Sequence, residues 1–228
     1  MKGKSMLYKT LLGIIAFIIR VVNGPTHYEY DEDFDPNKSY VVIGPHRSLL
    51  DPIFVAMALR PTQIAFIAKK ELLANKFLTW FFTNINIIPV DRDNPGPSTI
   101  KDAVRTLKEG NKYVGIFPTG SRYSDEIKPG AVSIANMGKV ELLPVNYQGP
   151  IDIKGIFSWK KEHRAKVRVG KPIQLPDVKR LSETDTKAVH QAMQDAFNEN
   201  DRILDPGYHY DMAVAIAKRD AKKAKKNQ

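Results

Sequence analysis

The 228-residue chain contains no cysteine. Disulfides, thiolate metal sites and a cysteine nucleophile are therefore excluded, and the composition suits a reducing cytoplasm. Acidic residues are in short supply as well, with 25 Asp and Glu against 35 Lys and Arg and a net charge of +10. That excess fits an anionic partner: nucleic acid, an anionic membrane face or a phosphorylated substrate. No aromatic-basic recognition motif accompanies the charge, so nucleic acid is not expected. The histidines are scattered without ligand spacing, so no metal is expected, and no repeat recurs at solenoid spacing.

An uninterrupted apolar run long enough to span a bilayer, about 20 residues, is also missing. Met6 to Val22 is strongly apolar, but Lys9 and Arg20 interrupt it and leave only Thr10 to Ile19. No small-residue cleavage site follows, which argues against a signal peptide. The segment reads as a helix lying in the headgroup region, with Lys9 and Arg20 snorkelling. The expected organisation is a membrane-associating segment over 1–24, a folded body over 25–204 and a basic tail over 205–228.

The hydrophobic share of 43% is ordinary for a globular protein, and the length suits one sizeable core. Short apolar runs predict strands at Tyr40 to Ile43, Gln63 to Ala68, Asn86 to Val90, Tyr113 to Phe117, Glu141 to Asn146 and Lys166 to Val169. Helical spacing predicts helices from the turn after Ile43 to about Leu59, over Lys70 to Phe82, Ser98 to Glu109 and Gly130 to Met137, and from Ser182 to about Asn200. Strands alternating with helices imply an α/β fold, a mostly parallel central sheet flanked by helices. In such sheets ligands bind beyond the carboxyl ends of the strands. His46, Arg92 and Arg122 each follow a different predicted strand at that end, so they are expected to converge. Lys69 and Lys128 occupy similar positions and are weaker candidates.

The strand ending at Ile43 is organised around the turn that follows it. His46 lies in that turn, and Ser48 with Asp51 three residues later reads as a capping box opening the next helix. A histidine and a carboxylate so placed form a base and its orienting partner, because imidazole is the side chain that ordinarily titrates between pH 5 and 8. Asp51 alone is also a good first-turn acid whatever the function.

Four blocks then stand together: His46-Arg47-Ser48-Leu49-Leu50-Asp51, Ile87-Ile88-Pro89-Val90-Asp91-Arg92, Phe117-Pro118-Thr119-Gly120-Ser121-Arg122 and Leu142-Leu143-Pro144-Val145. In this order and spacing the chain, from about Leu7 to Val169, resembles the 1-acylglycerol-3-phosphate acyltransferase (lysophosphatidate acyltransferase) family. The first block matches that family's H-x4-D pattern. The resemblance implies transfer of a fatty acyl group from a thioester to the sn-2 hydroxyl of lysophosphatidic acid. The product is phosphatidic acid, a step of phospholipid biosynthesis. His46 and Asp51 are the implied catalytic pair, and Arg92, Thr119, Gly120, Ser121 and Arg122 the implied acceptor-binding set. No cofactor is implied; acyl-CoA or acyl carrier protein serves as donor substrate. The implied setting is the cytoplasmic face of the cell membrane, with peripheral or monotopic attachment and membrane lipids as partners. The third block departs from the family, which has glutamate where Thr119 stands and threonine where Ser121 stands. Two rival readings stay open: transfer to a different lysophospholipid, and an anionic-lipid-binding protein of the membrane surface with weak or no transferase activity.

Overall fold

The computed structural model describes residues 2–73, 87–91, 96–110 and 112–226. Seven strands are seen among these: β1 (His27–Tyr30), β2 (Tyr40–Ile43), β3 (Gln63–Lys69), β4 (Ile88–Val90), β5 (Lys112–Ile116), β6 (Glu141–Gln148) and β7 (Lys166–Val169). The sheet order is β1-β7-β6-β2-β5-β3-β4. Strands β6, β2, β5, β3 and β4 run parallel, whereas β7 pairs antiparallel with β6 and carries β1 parallel to itself. The expected α/β fold with a mostly parallel sheet is therefore what forms, with a reversed pair along one edge.

The helices are α1 (Lys2–Val22), α2 (Asp51–Ala58), α3 (Pro97–Lys108), α4 (Gly130–Gly138), the short α5 (Ile153–Ile156), α6 (Glu183–Leu204) and α7 (Met212–Lys226). Strand alternation divides the core. From β2, Tyr40 and Val42 face a cluster containing Tyr8, Leu12 and Ile19 of α1 and Phe54 and Met57 of α2. Val41 and Ile43 face the other side, among Leu107 of α3, Ile134 of α4 and Met193 and Phe197 of α6. This is the period-two pattern of a sheet covered on both faces, and it explains why β2 is buried at every position.

Several expectations change in detail. The helix expected over Lys70 to Phe82 begins as a single 3-10 turn, Lys70–Leu73, and its remainder lies outside the described residues. The helix expected over Gly130 to Met137 runs one residue further, to Gly138, and ends on a left-handed C-cap, Lys139 (φ 53). Helix α6 opens on a full capping box: the Ser182 hydroxyl accepts from Asp185 N–H, and the Asp185 carboxylate accepts from Ser182 N–H. Residues 212–226, expected as a basic tail, are helical. No helix among the described residues is long and apolar enough to cross a membrane.

Candidate active site

Strand β2 delivers His46 just beyond its carboxyl end, and α2 begins at Asp51. His46 Nδ1 lies 3.1 Å from Asp51 Oδ2. The same oxygen accepts the backbone N–H of Arg47 at 2.8 Å and of Ser48 at 2.7 Å. The aspartate side chain is 3% exposed and the histidine side chain 16%. A carboxylate oxygen held by two backbone donors can only accept from the imidazole, so Nδ1 carries the hydrogen and Nε2 is the basic nitrogen. The ring is further fixed by stacking on Phe117 from the end of β5, with centroids 4.4 Å apart and planes inclined by 20°.

The capping box expected here is only half built. Asp51 reaches back to Ser48 N–H, but α2 is preceded by Leu50 and has no side-chain cap. The Ser48 hydroxyl, 1% exposed, donates to Ile151 O at 3.0 Å and accepts Leu50 N–H at 2.9 Å. Pro52, in the first turn of α2, removes one donor that would otherwise need a partner. The N–H groups of Arg47, Ser48, Leu49 and Leu50 are all engaged within this turn or with Ile151. They are not available to a developing oxyanion.

His46 borders two cavities of opposite character. The larger, of about 630 Å³, runs between α1 and α2 and is walled by Tyr8, Leu12, Ile15, Ile53, Phe66 and Phe117. Lys69, Ser121 and Arg122 line it together with His46. Gly115 makes room for this wall: a Cβ there would lie 2.4 Å from the Phe66 ring. Burial pushes the pKa of the Tyr8 hydroxyl up to about 12, so this wall residue is neutral. The smaller cavity, about 360 Å³, is polar and borders Thr119, Arg47, Gln194, Asn198 and Tyr208. A third cleft of about 440 Å³, between Lys38, Lys139 and Gln174, lies at the opposite end of the sheet and touches none of these residues.

The structure thus brings His46, Asp51, Lys69, Ser121 and Arg122 together and separates the rest. Thr119 borders the polar cavity, and its hydroxyl donates to Ser121 O at 2.9 Å. Gly120 adopts φ 64, which lets the chain turn between them. Lys128 is exposed, and its Nζ would sit 3.8 Å from a Cβ placed on Gly120. Lys69 pairs with Glu71 at 3.2 Å. Arg92 lies outside the described residues.

Sequence reasoning missed a support behind the histidine turn. The Arg47 guanidinium donates to Asp201 of α6 at 2.6 Å and packs against the rings of Tyr208 and Tyr210, 5.6 and 5.5 Å from their centroids. Gln148 at the end of β6 donates to Asp201 Oδ1 at 3.1 Å, and Tyr210 donates to Arg122 O at 3.2 Å. The signal in the sequence was two tyrosines, Tyr208 and Tyr210, at the start of the basic tail.

The buried carboxylate-imidazole pair thus stands at the strand ends of an α/β sheet and opens onto an apolar cavity that Lys69 and Arg122 also line. The chain belongs to the acyltransferase family, whose model matches residues 26–148. It is 37% identical to a 1-acyl-sn-glycerol-3-phosphate acyltransferase of Bacillus subtilis over 205 residues, 86% of this chain and 100% of the relative. It is 36% identical to the enzyme of the same name from Streptococcus pneumoniae, over 88% of this chain and 75% of the relative. Its fold matches the crystal structure of the lysophosphatidate acyltransferase PlsC from Thermotoga maritima with TM-score 0.66 and 18% identity, covering 92% of this chain and 84% of that one.

Proposed function

We propose that this acyltransferase moves a fatty acyl group from a thioester to the free hydroxyl of lysophosphatidic acid, giving phosphatidic acid. The observation that carries the reading is His46, fixed by Asp51, at the junction of the apolar cavity with Lys69 and Arg122. The acyl chain lies in the cavity, and the acceptor phosphate meets Arg122 and Lys69, with Arg92 as a third cation on the family pattern. A guanidinium fork matches phosphate oxygens, which is why the arginines are the preferred binders.

His46 Nε2 takes the proton of the acceptor hydroxyl as its oxygen attacks the thioester carbonyl. Asp51 stabilises the imidazolium that forms. When the tetrahedral intermediate collapses, the carbon–sulfur bond breaks and the imidazolium returns its proton to the leaving sulfur. Since the N–H groups of the turn are engaged, charge on the carbonyl oxygen falls to the cations at the cavity rim. Ser48 forms no acyl-enzyme, because its hydroxyl is buried against the Ile151 carbonyl. The donor is acyl-CoA or acyl carrier protein. Thr119, where the family has glutamate, borders the polar cavity rather than the end lined by Lys69 and Arg122, so the change leaves those cations in place for lysophosphatidic acid or a related lysophospholipid. Helix α1 attaches the enzyme peripherally or monotopically to the cytoplasmic face of the membrane.

The test is thioester release with both donors and a series of lysolipids. Turnover should be greatest with lysophosphatidic acid and fall about 10²- to 10⁴-fold in His46→Ala. A His46→Ala protein that turns over like the parent defeats the mechanism. Binding of lysophosphatidic acid with no thiol released from either donor returns the chain to the lipid-binding class.

A further inference from the structure

Fourteen large apolar side chains are exposed among the described residues; five lie on α1, one is Leu49 and four lie between Ile151 and Trp159. The exposed apolar surface is therefore concentrated in two segments that meet. On α1, Ile14, Phe17, Ile18 and Val21 form an i, i+3, i+4, i+7 stripe facing away from the core, while Tyr8, Leu12 and Ile19 face into it. In the second segment Ile153, Phe157 and Trp159 are 64%, 65% and 70% exposed.

This second segment is held firmly. Asp152 caps α5 by accepting Gly155 N–H at 2.8 Å, and Ile156 is buried in the same cluster as Leu12 and Ile19. Asn23, directly after α1, donates to Ser158 O and His163 O and accepts Ala165 N–H. At its other end Ile151 O accepts from Ser48 and Leu49 of the histidine turn. The segment thus bridges the carboxyl end of α1 and the cavity mouth, where Leu49 is exposed. Lys154, Lys160 and Lys161 are exposed along it; Asp152 is committed to its cap, and the exposed Glu162 pairs with Lys160 at 3.8 Å, leaving a net positive segment.

Aromatic and aliphatic side chains interleaved with lysines, displayed on an anchored turn, match the chemistry of a bilayer interface with anionic headgroups. We propose that residues 153–161 are a second membrane-contacting element. Phe157 and Trp159 enter the headgroup boundary, and the three lysines select anionic lipid. The inference rests on the reading of α1 as membrane-bound and extends it: the two elements seat the cavity mouth against the lipid surface from which the acceptor arrives. An acidic carrier protein would complement the lysines but not three protruding apolar side chains continuous with an apolar helix face.

The experiment uses the full chain with Trp80→Phe, so that Trp159 is the only tryptophan, and vesicles of phosphatidylcholine with or without phosphatidylglycerol. Acyl-brominated lipid should quench Trp159 strongly and only when phosphatidylglycerol is present. Lys154→Glu, Lys160→Glu and Lys161→Glu combined should weaken vesicle binding at least tenfold without lowering the melting temperature. The parent compared with Trp159→Phe gives the same difference independently of Trp80→Phe. Sedimentation with vesicles but no quenching overturns the second element and leaves α1 standing. No sedimentation with any composition overturns both. Quenching that survives Phe17→Lys with Ile18→Lys supports the second element and removes α1. A Trp159 response to acyl carrier protein but not to vesicles assigns the surface to the carrier and overturns the proposal.

Discussion

Asp51 accepts three hydrogen bonds with one oxygen, from His46 and from the backbone of Arg47 and Ser48, while almost wholly buried. Two effects of replacing it therefore separate. Asp51→Asn keeps an acceptor for the backbone but loses the charge that stabilises an imidazolium; it should fold and lose up to about 10⁴ in kcat. Asp51→Ala strands two backbone donors, each costing roughly 1–3 kcal/mol, and should also lose stability in a denaturant titration. Ser48→Ala is the complementary case. Its hydroxyl touches only backbone, so stability should fall by about 1 kcal/mol while kcat stays within a few-fold of the parent. Loss of all turnover in a folded Ser48→Ala protein, or a trapped acyl group on Ser48, defeats direct attack. At this scale the sequence was legible where one local turn sets the geometry: His46 and Asp51 are five apart and meet. Thr119 was legible as a departure only. That its side chain turns to Ser121 O and borders the polar cavity depends on the path after β5, which spacing does not encode.

Among elements, α6 and the segment after it act on the histidine turn from behind. Asp201→Ala leaves the Arg47 guanidinium, only 16% exposed, facing two tyrosine rings without its carboxylate. It should cost about 3 kcal/mol, the low end for a buried pair broken from one side, and lower kcat by loosening the residue after His46. Unfolding and kinetics measured on one preparation check both. At the far end of α6, Ser182 holds the Asp185 carboxyl below the usual carboxylate range, first through its side chain and then through its backbone N–H. A depressed folded-state value means this contribution is present above the unfolded carboxylate range and lost as pH falls through the folded one. Ser182→Ala should lower Tm by roughly 2–4 °C near neutral pH, and by less in acid. Both ends of this helix show what sequence can reveal. The cap is a four-residue signal and was readable; the contact with Arg47 joins residues 154 apart and was not.

At the scale of the molecule, the mostly parallel sheet flanked by helices followed from alternation of apolar runs with helical spacing, but the strand order did not. The reversed edge did not, because β7 and β1 are only four residues each and their pairing depends on chain path rather than pattern. Helix α1 was read as a membrane segment set apart from the body. Instead Tyr8, Leu12 and Ile15 wall the acyl cavity, so α1 belongs to the site on one face and to the surface on the other. Removing residues 2–22 should therefore abolish turnover even with detergent-dispersed substrate, where a simple anchor would be dispensable. A truncated protein that keeps kcat with micellar lysophosphatidic acid refutes that role.

The pairing of β1 with β7, and of Arg47 with Asp201, has a consequence for biosynthesis. Helix α1 is made ahead of everything it packs against; β1, which follows it, has no partner until residues 166–169 have been made, and the histidine turn is not braced until α6 follows. The sheet edge and the histidine turn are thus completed late, only once the carboxyl-terminal third has closed behind them.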